Sequence, residues 1–241
     1  MNSHCTVLIP AFNTQQYLTE CLQSIFRQSY TDFDVLVIDD GSTDGTRELA
    51  ESFITQYPIS VISLPKNKGV TYATHIGIQA ARGPIITIVD SDDIIYKHSL
   101  ATGLRAFRDP EVGFAWSRFN KSTTGRIGWT KDTPAGKSLY RALMYENWWC
   151  ASHQRFFRKS TYMEGIHLNT EIDRSSDFQL ALLIASSGCK TTYMPEVTYW
   201  YRMKRKGSLT SQGASKQKQA VVSIKRWVKR QLTKRGINEP S

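Results

Sequence analysis

The chain has 241 residues, 40% apolar and 22% charged, proportions that exclude a disordered, collagen-like or fibrous protein and leave room for one large core or two small ones. Its formal charge of +10 is concentrated: Arg202 to Arg235 holds twelve Lys or Arg and no Asp or Glu, and without those twelve the remainder stands at −2. No apolar run approaches the roughly 20 residues of a spanning helix, and no basic segment precedes the first apolar stretch, so neither a span nor a signal peptide is expected and the cytosol is the expected compartment.

In chain order, Cys5 to Phe12 is a short apolar run closed by Pro10 and Asn13. Leu18, Cys21, Leu22, Ile25 and Phe26 recur at helical spacing and predict an amphipathic helix that Thr14 can cap. Asp34 to Asp39 reads as a strand, and the helix after it has Leu49, Ala50, Phe53 and Ile54 inward. Ile59 to Leu64 is a third strand. A helix through Ile76 and Ala80 ends at Gly83-Pro84, and Ile85 to Val89 is a fourth strand. This alternation predicts an α/β fold with a mainly parallel, Rossmann-like sheet flanked by helices. Beyond it, Leu100 to Phe107 looks helical, and the aromatic, Gly- and Thr-rich stretch from Phe114 to Trp149 reads as short strands and loops over an open site. Phe178, Leu182, Leu183 and Ala185 make a helical stripe, Val197 to Arg202 is an aromatic strand, and Ser215 to Arg235 is a basic amphipathic C-terminal helix.

Two acidic clusters end buried-looking strands: Asp39-Asp40-Gly41-Ser42-Thr43-Asp44 and Asp90-Ser91-Asp92-Asp93. Carboxylates at the ends of neighbouring parallel strands repel one another and any phosphate. A divalent cation and a diphosphate sharing the crevice would resolve this, because hard cations take oxygen ligands from both. Open α/β sheets bind ligands at these carboxyl ends. Metal-assisted chemistry on a nucleotide follows as the expectation. The structural alternative for the first cluster is a capped turn, since D-G-S-T-D is rich in turn and cap formers. Three crowded carboxylates in the second cluster are harder to explain without a cation.

Val-Leu-Ile-Pro-Ala-Phe-Asn at 7–13, Ile-Asp-Asp-Gly-Ser-Thr-Asp-Gly-Thr at 38–46, Asn67-Lys68-Gly69, Ala-Arg-Gly at 81–83 and Val-Asp-Ser-Asp-Asp at 89–93 occur in this order. Together they resemble the family 2 glycosyltransferases, inverting sugar transferases with the GT-A fold. The resemblance is firm from Cys5 to Asp93 and looser to about Thr210. It implies a nucleotide-sugar-binding half over 1–93, an acceptor-binding half of the same domain over 94–210, and a basic tail over 211–241 outside it. It also implies that Pro10, Phe12 and Asn13 line a nucleotide pocket, with Asn67, Gly69, Arg82 and Ser91 as further donor contacts. Asp40, with Asp39 beside it, would accept a hydrogen bond from the base, uracil in this reading. Asp90 and Asp92 would form a D-x-D element, Asp92 as the direct ligand of Mn²⁺ or Mg²⁺ and Asp90 towards the ribose or a coordinated water.

An inverting transfer needs a general base for the acceptor hydroxyl. Family members carry a Glu-Asp pair at the start of an apolar helix; here Ser176-Asp177 occupies that place. The resemblance makes Asp177 the base, with Glu171 and Asp173 as other candidates and a dipole-stabilising helix carboxylate as the structural alternative. At Lys204 the family often has a histidine. A lysine ammonium cannot ligate a metal, though it can pair with a diphosphate or simply be solvated. His153, after Trp148-Trp149-Cys150, can touch an acceptor or pack in the core. The four cysteines show no metal-ligand or disulfide spacing.

In the tail, Val221, Ile224, Val228 and Leu232 form an apolar stripe flanked by Lys225, Arg226, Lys229 and Arg230, with Trp227 alongside. That pattern suits an anionic membrane surface, with packing on the domain as the alternative. The functional expectation is transfer of a sugar from a UDP-type donor to a glycan or lipid-linked acceptor, at the inner face of a bacterial membrane. A nucleotidyltransferase lacks support because no glycine- and basic-rich phosphate loop follows the first strand. A nucleic-acid-binding module would leave the acidic crevice unexplained, so no nucleic acid partner is expected.

Overall fold

The computed structural model describes residues 4–121, 137–146, 151, 153–203 and 214–240. Four parallel strands form its first half: β1 (Cys5–Ala11), β2 (Phe33–Asp39), β3 (Ile59–Ser63) and β4 (Ile85–Ile88). They are linked by α1 (Gln15–Phe26), α2 (Thr46–Glu51) and α3 (Val70–Ala80). Then come β5 (Ile94–Ile95), α4 (Ser99–Ala106), β6 (Val112–Lys121), α5 (Leu139–Tyr145), β7 (Arg155–Arg158), α6 (Lys159–Glu164), α7 (Ser176–Ala185), β8 (Lys190–Tyr201) and α8 (Ala214–Lys234). The sheet order is β3-β2-β1-β4-β7-β6-β8-β5. β7 is antiparallel to both β4 and β6, and β5 is antiparallel to β8, so the mainly parallel sheet expected from the first-half alternation is fully parallel there and mixed in the second half.

Strand alternation sorts the core into two faces. Val7, Ile9, Val35 and Val37 meet α1, α2 and α4, while Leu8, Leu36 and Ile38 meet α3, α5 and α7. α2 is shorter than its apolar pattern suggests, and Ile54, expected inward, is 49% exposed beyond its end. Thr14 does not cap α1 with its hydroxyl; Asp44 accepts from Gln15 N at 3.2 Å instead. β8 begins seven residues before the expected aromatic strand. Its pairing with β6 slips between Tyr193 and Val197, which accommodates Pro195 in an irregular stretch of ladder.

The largest departure concerns α7 and α8. Every residue of α7 from Phe178 to Ala185 is buried, not one stripe alone. α3, α5, α6 and β6 pack against it, and α8 covers what remains: Ile224, Val228 and Leu232 are at most 2% exposed and belong to the same core cluster as Phe178 and Leu182. The stripe read as a membrane-facing surface is therefore core packing. Further ties hold the segment, including Arg235 Nη1 to the Gly165 carbonyl at 3.1 Å and a Tyr145–Glu239 hydrogen bond. Among the described residues no helix is long and apolar enough to cross a membrane.

Candidate functional site

β1 pairs with β2 on one side and β4 on the other, so the chain reverses its direction of strand addition at β1. Ligands bind α/β sheets at the carboxyl side of such a switch point. Pro10, Phe12 and Asn13 end β1 there, Asp39 and Asp40 end β2, and Asp90 to Asp92 follow β4. Phe12 is 40% exposed, a ring left on the surface at the mouth of the crevice.

The first acidic cluster is built by local capping. Asn13, at φ 51°, donates its backbone N–H to Ser42 Oγ at 3.0 Å and accepts from Thr43 N at 2.8 Å through its side chain. Asp39 accepts from Ser42 N at 3.2 Å. Each oxygen of Asp40 accepts from a backbone N–H, Lys68 N and Gly69 N, each at 2.8 Å. Burial raises its pKa, the two N–H groups pull it down, and Asp39 raises it. Asp40 therefore ties the end of β2 to the start of α3.

Asp173 approaches the same helix start from the other half of the chain. A Cβ on Gly69, whose φ is 91°, would lie 1.9 Å from Asp173 Oδ1, so any other residue would be strained there and would push the Asp173 carboxylate aside. Thr71 Oγ1 donates to the Ile172 carbonyl at 2.9 Å. Partial burial and the Asp40 carboxylate raise the pKa of Asp173, against Arg174 and the N–H groups of Val70 and Thr71. Asn67 turns its side-chain oxygen to Gly69 N at 3.1 Å, within an exposed loop.

In the second cluster the carboxylates have separate surroundings. Asp93 is wholly buried and accepts from the Tyr199 hydroxyl and from Arg202 N, both at 2.7 Å. Tyr199 in turn accepts from Asp90 N at 3.1 Å. Burial first, then Asp92 and Asp90, hold the Asp93 carboxyl well above the usual range. Arg202 also donates to the Asp92 carbonyl at 2.7 Å and to Glu20 at 2.5 Å, while lying over the rings of Tyr17 and Trp200. Asp93 is thus a structural anchor, and Asp90 and Asp92, the latter 8% exposed beside Ser91 at 4%, are the other two carboxylates at the end of β4. Among the described residues no set of three or more His, Cys, Asp or Glu side chains gathers around one point. A two-carboxylate, all-oxygen pair suits a hard cation that takes its remaining ligands from phosphate and water.

Asp177 starts α7 after Ser175, which has φ 55°. One carboxylate oxygen accepts from Phe178 N at 2.8 Å, and the other lies 3.6 Å from Nη1 of Arg155, a guanidinium only 3% exposed. Arg155 opens β7 opposite Ile88, the last residue of β4, so Asp177 is held at the same edge of the sheet as the D-x-D pair.

His153 is buried, stacked between Tyr199 and Tyr201 at 4.9 and 5.0 Å, with its pKa driven well down by burial and by Arg155. It packs under the site. Arg82 is not part of the site: it precedes β4 at the amino end of the parallel strands, the edge opposite Asp90, and is exposed. Lys204, Trp148, Trp149 and Cys150 lie outside the described residues. Tyr199, Arg202, Arg155 and the Asp173–Gly69 contact were not singled out from sequence. An arginine opening the otherwise apolar run Arg155-Phe156-Phe157 was the one available signal.

The family model Glycosyl transferase family 2 matches residues 6–165. Glycosyltransferase GlyG of Streptococcus pneumoniae is 37% identical over 103 residues, 42% of this chain and 34% of that protein. The poly(ribitol-phosphate) beta-N-acetylglucosaminyltransferase TarS of Staphylococcus aureus is 25% identical over 209 residues, 84% of this chain and 36% of that protein. The chain thus spans about a third of the length of these curated relatives. In three dimensions it is similar to S. aureus TarS 1–349 in complex with UDP-GlcNAc, with a TM-score of 0.71 at 20% identity over 91% of this chain and 65% of that one. It is also similar to the mannosyltransferase PcManGT of Pyrobaculum calidifontis in complex with GDP-Man and Mn²⁺, with a TM-score of 0.68 at 20% identity over 86% of this chain and 59% of that one.

Proposed function

The chain belongs to glycosyl transferase family 2, and from that membership we propose that it moves a sugar, with inversion, from a nucleoside diphosphate donor to a hydroxyl of a glycan or lipid-linked acceptor in bacterial surface-polymer synthesis. The observation that carries this reading is the pairing of two carboxylate clusters, at the ends of β2 and β4, on either side of β1. UDP is the nucleotide in this reading, as in the complex of the TarS relative. Asp40, with Asp39 beside it, takes the hydrogen bond from the base, since each carboxylate keeps acceptor capacity beyond the backbone N–H groups it already meets. Pro10, Phe12, Asn13 and the 67–69 loop wall the pocket.

Asp90 and Asp92 would hold a divalent cation, Mn²⁺ or Mg²⁺, whose contribution when bound is to neutralise charge on the departing diphosphate. Asp177 accepts the proton of the acceptor hydroxyl as its oxygen attacks the anomeric carbon and the bond from that carbon to the diphosphate oxygen breaks. Arg155 holds the carboxylate in place from beneath. Lys204 would face the diphosphate. A peripheral position on the cytoplasmic face of a membrane would rest on the exposed cations of α8 alone, since its apolar stripe is buried.

The test is a thermal-shift comparison of UDP, GDP and their sugar derivatives with and without Mn²⁺. Stabilisation by a nucleoside diphosphate that depends on the metal is the expected result. No response to any of them in either condition would remove the reading.

A further inference from the structure

The exposed side of α8 has a composition that packing does not account for. Residues 214–240 contain eight Lys or Arg against one acid, Glu239. Like charges stand at helical neighbour spacing, as Arg226 with Arg230 and Arg230 with Lys234, an arrangement that weakens a helix by roughly 0.2–0.5 kcal/mol per pair. Lys229 lies 3.4 Å from Glu239; Arg226, Arg230 and Lys234 are exposed and make no ion pair among the described residues. The stripe beneath is already used in the core, and Lys229 and Arg235 tie the segment down, so it is the charge of Arg226, Arg230 and Lys234 that does not serve folding.

A groove of about 460 Å³ runs beside this strip, between Trp227 and Gln231 of α8, with Arg235 just past its end, and the segment through Asn169, Thr170 and Glu171. Trp227 is half-buried and keeps part of its indole at the groove. Trp227, Arg230 and Lys234 fall at i, i+3 and i+7, on one side of the helix. The floor is rigidly placed: Asn169 N donates to Gln179 Oε1 of α7 at 2.9 Å. The same segment then runs through Ile172 and Asp173, which dock on the donor loop at Thr71 and Gly69, to Asp177. The floor of the groove is thus joined, through a segment docked on the donor loop, to the proposed base.

We propose that this groove and its basic rim are a binding track for an anionic acceptor polymer, a chain of phosphodiester-linked polyol or sugar units. Arg226, Arg230 and Lys234 would meet the phosphates, Trp227 would offer a flat face to the carbon-bound hydrogens, and Glu171, Asn169 and Gln231 would hydrogen-bond hydroxyls. A local excess of seven positive charges over 27 residues complements a regularly charged polyanion. A bilayer is the weaker occupant, because interfacial helices gain their affinity from an apolar face as well as from charge, and here that face is occupied. The role of the polymer as acceptor rests on the proposed transferase function; its binding does not.

The test uses the full chain with poly(glycerol phosphate) as probe, neutral dextran, an RNA oligomer and phosphatidylglycerol vesicles as comparisons, and UDP with Mn²⁺ as the reporter of the donor crevice. Poly(glycerol phosphate) should bind with an affinity that falls with salt. Arg230→Glu should weaken it by about tenfold, while Arg108→Glu, an equal charge change on a remote surface, should leave it within about twofold. Trp227→Phe should weaken it less than Arg230→Glu. Equal binding of dextran, preference for vesicles or RNA over the polymer, or equal effects of the two charge reversals would each overturn the track. Polymer binding without any response to UDP and Mn²⁺ would instead overturn the transferase reading and leave the track standing.

Discussion

Nη1 of Arg155 lies 3.6 Å from Oδ2 of Asp177, joining the first residue of β7 to the first turn of α7. Arg155 is buried and Asp177 reaches towards solvent, so the pair orients one carboxylate at the edge of the sheet where β4 ends. Asp177→Asn keeps that shape and removes the proton acceptor. Turnover should fall by roughly 10²–10⁴ with nucleotide affinity unchanged. Parallel loss of UDP binding in calorimetry would make Asp177 structural.

Asp92→Ala should abolish metal-dependent binding of the donor nucleotide while the fold persists. Removing one carboxylate from beside Asp93 relieves repulsion. Melting temperature without metal should therefore hold or rise. Near-normal turnover with an unchanged metal requirement would place the cation elsewhere.

Gly69→Ala should be destabilising by about 1–3 kcal/mol, because the backbone conformation at φ 91° suits glycine. The new methyl must also displace Asp173, so the donor loop and the segment leading to Asp177 should part. A double-mutant cycle with Asp173→Ala separates the two effects. Coupling between the positions should be clearly non-zero, and strict additivity would show that they do not meet.

Val228→Asp or Leu232→Asp should destabilise the whole domain by about 3–5 kcal/mol, since each would bury a charge where 2% or less of the residue is exposed. Removal of residues after 213 should expose α7 and lower stability, contrary to what a separable tail would do. A single cooperative unfolding transition shifted down in denaturant is the expected observation. An unshifted midpoint would return α8 to the role of an independent appendage.

His4 bonds Asp32 at 2.9 Å and Asp34 at 3.1 Å. Burial opposes its charging, yet the two aspartates outweigh it and raise its pKa. A raised folded-state pKa gives stability that is complete below the unfolded value of about 6.5 and lost as pH rises through the folded value. His4→Gln should therefore lower the melting temperature at about pH 5.5 and leave it nearly unchanged at about pH 9. Equal effects at both would assign the loss to packing.

The alternation of strands and helices to Val89, the two acidic clusters at strand ends and the family were all legible in the chain itself, because strand and helix periods and short motifs are local properties. Arg82 could also have been placed from sequence, since a residue before a parallel strand lies at the edge away from the crevice. Tertiary structure alone decided the rest. Nothing local distinguishes Asp39 from Asp40; only the approach of the Lys68-Gly69 backbone shows that Asp40 also holds the start of α3. Asp173 and Gly69 stand about a hundred residues apart, and a missing Cβ has no meaning until the second segment arrives. The stripe of Ile224, Val228 and Leu232 reads the same whether it faces lipid or protein. What settled it was α7, buried all round from Phe178 to Ala185, over which α8 supplies one of the covering layers.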